Sequence, residues 1–147
     1  KYNIIKITMG DYNCYIIFND NYSYVGITNN IQRRLKQHNE ILKGGAKYTK
    51  LINCKLTTKW NYACYLEGFK NKIDALRFEW ALKHVKPKTK TGIFNRINKL
   101  LILLNKDKWT NNSPYSKNYK LTINWCELFL IPENINIPSY INHDFIF

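Results

Sequence analysis

The chain has 147 residues, with 23 Lys and Arg against 10 Asp and Glu and a net charge of +13. That length suits one domain with a real core, and that charge points to a polyanionic partner, nucleic acid before membrane. Cys14, Cys54, Cys64 and Cys126 are scattered with no CxxC pair, which argues against a zinc site and for reduced, structural thiols in an intracellular protein. The longest aliphatic run, 100–104, is far short of a membrane span, and no signal-peptide pattern opens the sequence.

In chain order, residues 2–8 read as a short extra strand or lead-in, and 9–11 as a turn. Residues 15–18 and 22–25 are aromatic and β-branched, and Asn19, Asp20 and Asn21 between them tolerate left-handed backbone angles. The pair is predicted to be an antiparallel hairpin, with Tyr15 and Tyr24 able to meet on one face in a register the turn leaves open. Gly26 closes the second strand and allows close approach of a ligand or the next helix. Asn30 reads as an N-cap of a helix running to Gly44 and Gly45, with Ile31, Leu35 and Leu42 apolar at helical spacing. Arg34 and His38, four apart, share a face of it.

Residues 44–58 read as a basic loop in which Lys47, Lys50 and Lys55 interleave with Tyr48, a pattern that suits a nucleic-acid backbone. A third strand is expected over 60–69. The following helix is capped by Asn71 and stopped near Pro87, with Ile73, Leu76, Trp80 and Ala81 as its buried stripe and Glu79 at the margin. Another helix over 92–105 buries Ile93, Ile97, Leu100, Leu101 and Leu104. A polar loop, a strand-like segment at 119–125 and an irregular tail complete the chain. No linker divides it, so residues 1–147 are expected to form a single domain, with a core at about 12–87 and a C-terminal helix and extension at 88–147.

These residues resemble the GIY-YIG nuclease superfamily. Its second tripeptide stands as Tyr24-Val25-Gly26. Its first is degenerate, Asn13-Cys14-Tyr15, keeping only the tyrosine. Within the superfamily YVGITNN, RRLKQHN, KGGAKYT and ALRFEWALKH look like the nuclease subunit of the Slx structure-selective endonuclease, over roughly residues 12–125. The resemblance implies an α+β fold with a small central antiparallel three-stranded sheet flanked by helices. It implies a site of Tyr15, Tyr24, Arg34, His38 and Glu79, with Glu79 as the metal ligand. An asparagine after the glutamate helix is also implied, and Asn95 and Asn98 both qualify. Nothing in this sequence supplies the cysteine–histidine array of the RING-type module found after that subfamily's nuclease domain.

Phosphodiester cleavage needs an activated water and charge to offset the phosphate oxygens. One carboxylate, Glu79, suits a single Mg²⁺ or Mn²⁺, which takes one or two protein carboxylates and several waters. Arg34 forks onto a phosphate oxygen, and one of the two tyrosines helps to activate water. His38 positions or relays a proton. Glu67 is a rival acid without a motif match. Expected DNA contacts are Gly26, Arg33, Lys36, Lys47, Lys50 and Lys55. The resemblance implies branched DNA (flaps, forks and Holliday junctions) as substrate and a scaffold protein as partner. Localisation then follows the DNA: the nucleus, or a viral or organellar DNA compartment. The alternatives are a homing or lesion-repair nuclease of the same superfamily, and a non-catalytic DNA-binding module.

Overall fold

A computed structural model describes residues 11–146; the expected lead-in at 2–8 lies outside them. The fold is α+β. Strands β1 (Asn13–Asn19) and β2 (Tyr22–Thr28) form the expected hairpin, and Asp20 turns it in the left-handed region at φ 53°. The register pairs Tyr15 with Gly26 and Ile17 with Tyr24. Strand β3 (Asn61–Glu67) lies antiparallel on the other side of β1, with a bulge opposite Ile16 and Ile17.

The sheet extends beyond the three antiparallel strands expected. β4 (Leu121–Trp125) pairs antiparallel with β3, and β5 (Ile141–Phe145) pairs parallel with β4, giving the order β2-β1-β3-β4-β5. The tail read as irregular therefore supplies an edge strand. Its residues His143 and Asp144 are exposed, so INHDF shows no apolar alternation by which a strand is recognised.

Helix α1 (Ile31–His38) is shorter than expected. Its N-cap is Asn30, whose Oδ1 accepts from the Arg33 amide at 2.9 Å. It stops because the Asn39 side chain bridges the Trp60 backbone, accepting from its N–H at 2.8 Å and donating to its carbonyl at 3.0 Å. Glu40 then turns with φ 61°, and Leu42, counted in the buried stripe, is exposed. The basic loop of 44–58 contains a helix, α2 (Lys47–Asn53), which has no side-chain cap and only two buried residues, Thr49 and Ile52. So short an element carries too few turns to show helical periodicity.

Helix α3 (Lys72–Lys83) is capped by Asn71, as expected, but buries a different stripe, which shares only Ala81 with the expected one. Ala75, Phe78, Ala81 and Leu82 face the core, while Ile73, Leu76 and Trp80 are 60%, 42% and 57% exposed. Apolar residues stand all round this helix, so periodicity alone could not choose its inner face. Helix α4 (Ile93–Leu104) buries Ile93, Ile97, Leu100, Leu103 and Leu104; Leu101 is half-buried.

Two apolar clusters sandwich the sheet. Cys14, Ile16, Val25 and Leu66 pack with Phe78, Leu82, Ile97 and Leu100 beneath α3 and α4. Tyr15, Ile17, Tyr62 and Tyr65 pack with Ile31, Ile52 and Trp60 beneath α1 and α2. The edge strand β2 is thus flanked by helices on both faces, and Tyr24 stands on it.

Candidate active site

The hairpin register sets Tyr15 and Tyr24 diagonally on the same face, with ring centroids 6.4 Å apart. Directly opposite Tyr15 is Gly26. A Cβ there would come within 2.6 Å of the Tyr15 Cζ, so the glycine leaves the space the phenol ring occupies. Gly26, expected to admit a ligand or a helix, admits a side chain of its own sheet.

Tyr15 is fully buried and heads a hydrogen-bond chain. Arg34 Nε donates to its Oη at 3.1 Å, and the Oη lies 2.7 Å from His38 Nε2. His38 Nδ1 is 3.0 Å from Thr49 Oγ1, and that hydroxyl donates to the Ala46 carbonyl at 2.9 Å. A hydroxyl has one hydrogen to give. Thr49 therefore accepts from His38, Nδ1 carries the imidazole proton, and Nε2 accepts from Tyr15. The directions run Arg34 to Tyr15 to His38 to Thr49 to Ala46, and each follows from the last.

The charges agree with this. Burial first, and the Arg34 cation second, push His38 down to about 4, so its ring is neutral at pH 7. Burial raises the Tyr15 phenol well above its ordinary range, against the pull of Arg34. Burial works against the Arg34 charge too, but its bond to Tyr15 and the nearby phenols outweigh that and raise its pKa. Arg34 is further held by Nη1, which donates to Gln37 Oε1 at 3.1 Å and to the Gly44 carbonyl at 2.9 Å. Gly44 presents that carbonyl from a φ of +107°, a conformation that favours glycine.

Tyr24 is half-buried. Its ring lies 5.1 Å from the His38 ring and stacks on Tyr48 at 6.2 Å and 19°. Lys83 Nζ sits over the Tyr24 ring, 5.5 Å from its centroid, and donates to Glu79 Oε1 at 2.8 Å. Lys83 thus ties Glu79, on the α3 side of the sheet, to Tyr24 on the edge. Glu79 keeps 17% of its side chain exposed. Burial, and after it the Glu79 charge, push the Cys14 thiol up, so Cys14 is a protonated core residue.

Tyr15, Tyr24, Arg34 and His38 are therefore in one network, and Glu79 reaches it through Lys83. Glu67 does not: it sits at the end of β3, accepting from Asn124 Nδ2 at 3.3 Å. Asn95 donates to the Thr91 carbonyl at 2.7 Å, and Asn98 is exposed; neither touches the network. Arg33, Lys36, Lys47, Lys50 and Lys55 are exposed on or just after α1 and α2. Sequence reasoning missed Thr49, Lys83 and the stacking role of Tyr48. KYTK gave the only signal, a threonine at helical offset beside lysines.

Among the described residues no three His, Cys, Asp or Glu cluster to hold a metal. The donor set fits a hard divalent ion bound by the Glu79 carboxylate and water, not a closed zinc-type centre. Lys83, exposed at the end of α3, is the partner that such an ion would replace at the half-buried Glu79 carboxylate.

The structure thus joins a buried hairpin tyrosine to an arginine and a histidine of the helix that follows, with a glutamate on a later helix. The family described as the GIY-YIG catalytic domain matches residues 11–93, and the chain belongs to it. Among curated proteins it is 40% identical over 77 residues to the structure-specific endonuclease subunit slx1 of Schizosaccharomyces japonicus, covering 50% of this chain and 26% of that protein. It is 48% identical over 61 residues to the slx1 subunit of Aspergillus terreus, covering 42% of this chain and 15% of the relative. With the SLX1 homolog of Cryptosporidium parvum it shares 40% identity over 74 residues, 48% of this chain and 17% of the relative. The matched stretch thus spans about a quarter or less of these relatives' length.

Proposed function

We propose that this chain is the nuclease domain of a structure-selective DNA endonuclease that hydrolyses phosphodiester bonds in branched DNA during repair or recombination. The observation that carries the reading is the Arg34–Tyr15–His38–Thr49 chain beside Tyr24, with Glu79 tethered to the same edge by Lys83. Its relatives' printed name, structure-specific endonuclease subunit, supports branched DNA as substrate. The word "subunit" supports a scaffold protein as partner. The compartment follows the DNA, whether nuclear, viral or organellar.

Arg34 holds the scissile phosphate, its charge secured by Tyr15 and its geometry fixed by Gln37 and Gly44. Tyr15 is the fixed member: fully buried, it orients Arg34 and takes its bearing from His38. Tyr24, half-buried where Tyr15 is fully enclosed, is the tyrosine an attacking water reaches, and it helps to orient or deprotonate that water. His38 is a neutral acceptor that holds Tyr15. Glu79 would hold one Mg²⁺ or Mn²⁺, which would supply positive charge to offset the phosphate and leaving oxygens.

Labelled 5′-flap, fork and four-way-junction DNA, beside linear duplex, test this in the presence of Mg²⁺ or Mn²⁺ at low salt. Cleavage near the branch is expected, lost with Glu79→Ala and reduced about 100- to 1,000-fold with Arg34→Ala. DNA that is bound but uncut under both metals, with or without the scaffold protein, points instead to a binding module.

A further inference from the structure

Beside the site, on the α4 side of Tyr24, a cleft of about 660 Å³ opens between the β1–β2 turn, the end of α3 and the start of α4. Lys83, Lys88, Lys90, Arg96 and Lys99 line it against a single acid, Asp20. None of them except Lys83 belongs to the network described above. Tyr22 and Tyr48, 37% and 41% exposed, stand at its wall, and Tyr48 is the ring stacked on Tyr24.

We infer that this cleft is a single-strand subsite, taking the unpaired nucleotides next to the scissile phosphate. The inference deepens the nuclease reading and rests on it for the identity of the neighbouring site. Its volume is that of a small-molecule pocket, room for one or two nucleotides and not for a duplex. A cationic groove with exposed aromatic rings is how single strands are held: the cations track phosphates and the rings stack bases. The cations are also built in. Lys99 is buried, and its ammonium donates to the Lys90 carbonyl at 2.7 Å. Arg96 spans the cleft floor, donating to Ser23 Oγ at 3.4 Å and to the Leu82 carbonyl at 3.3 Å. Those two contacts are long, and burial works against the Arg96 charge, so a phosphate would relieve a guanidinium that the protein solvates incompletely. Lys47 and Lys50, exposed on α2 on either side of Tyr48 and Thr49, are not among the residues that line the cleft. The cleft thus adjoins the site through Tyr48, stacked on Tyr24, and Lys83, which lies over the same ring.

Anisotropy titrations of a labelled oligothymidylate and of a blunt duplex test this, with Lys88→Gln/Lys90→Gln as the cleft variant. Both side chains are exposed, so folding is untouched. Lys117→Gln/Lys120→Gln, remote from the cleft, removes the same charge. The cleft variant is expected to bind oligothymidylate about three- to tenfold more weakly, with a salt slope lower by about 0.7 per lost contact. Duplex affinity is expected to hold, and the remote variant to match wild type on both ligands. Equal losses in the two variants, no loss in either, or a duplex loss as large as the single-strand loss would each overturn the subsite. The two readings fail separately. Selective oligothymidylate binding by a protein that cuts nothing keeps the subsite and removes the nuclease. Branch cleavage with unaltered binding by the cleft variant does the reverse.

Discussion

At the scale of residues, a few close contacts decide whether the site exists. Gly26 is one. An added methyl would meet the Tyr15 ring, which is fully buried and has nowhere to retreat. Gly26→Ala is expected to cost about 1–3 kcal/mol of stability by overpacking. It is also expected to cut cleavage sharply, because the displaced phenol loses Arg34 and His38; thermal melts beside flap cleavage measure both. A variant that kept wild-type rates would show that Tyr15 need not lie across Gly26. His38 carries the pH dependence. Its folded pKa, about 4, lies below the value of an unfolded histidine, 6.5, so the unfolded chain takes up the proton first as pH falls. Its contribution is whole above about pH 6.5 and is lost as pH falls towards about 4. Wild type is expected to lose melting temperature more steeply than His38→Asn across that window.

At the scale of elements, α2 is seven residues long, yet it sets the histidine tautomer. Thr49→Val keeps the shape and removes the acceptor, leaving a buried N–H unpaired at about 1–3 kcal/mol. The ring is then free to exchange tautomers, which nitrogen NMR of His38 detects, and cleavage is expected to fall with it. A single Nδ1–H tautomer persisting in the variant would show that Thr49 is not what fixes it. Helix α3 offers a test of which face is inside. Phe78→Ala is expected to cost about 3–5 kcal/mol, whereas Leu76→Gln, on the exposed stripe, stays within about 0.5 kcal/mol. Chemical denaturation separates the two, and the reverse order would restore the inner face expected from the sequence.

At the scale of the whole molecule, the net charge of +13 acts as a field. Binding of any DNA is expected to weaken steeply with salt through counterion release, and titrations across salt concentration give the number of phosphates contacted. A flat salt response would mean that the basic surface does not meet the backbone. Charge alone brings DNA of every shape. Charge of that kind does not by itself distinguish one DNA shape from another.

The chain itself determined the parts that depend on neighbours in sequence. Asn19-Asp20-Asn21 dictated the hairpin, Asn30 and Asn71 the starts of two helices, and Arg34 and His38 a shared helix face, because turns, caps and four-residue spacing are local. Only the tertiary structure decided the rest. It chose Phe78 over Trp80 for the inside of α3, made a helix of 47–53 and paired 141–145 with β4. Those choices depend on which surface packs against the segment, and that surface comes from residues distant in the chain. The same reason explains why Thr49 and Lys83 escaped the sequence. Each acquires its place only when α2 and α3 close from opposite faces upon the edge strand that carries Tyr24.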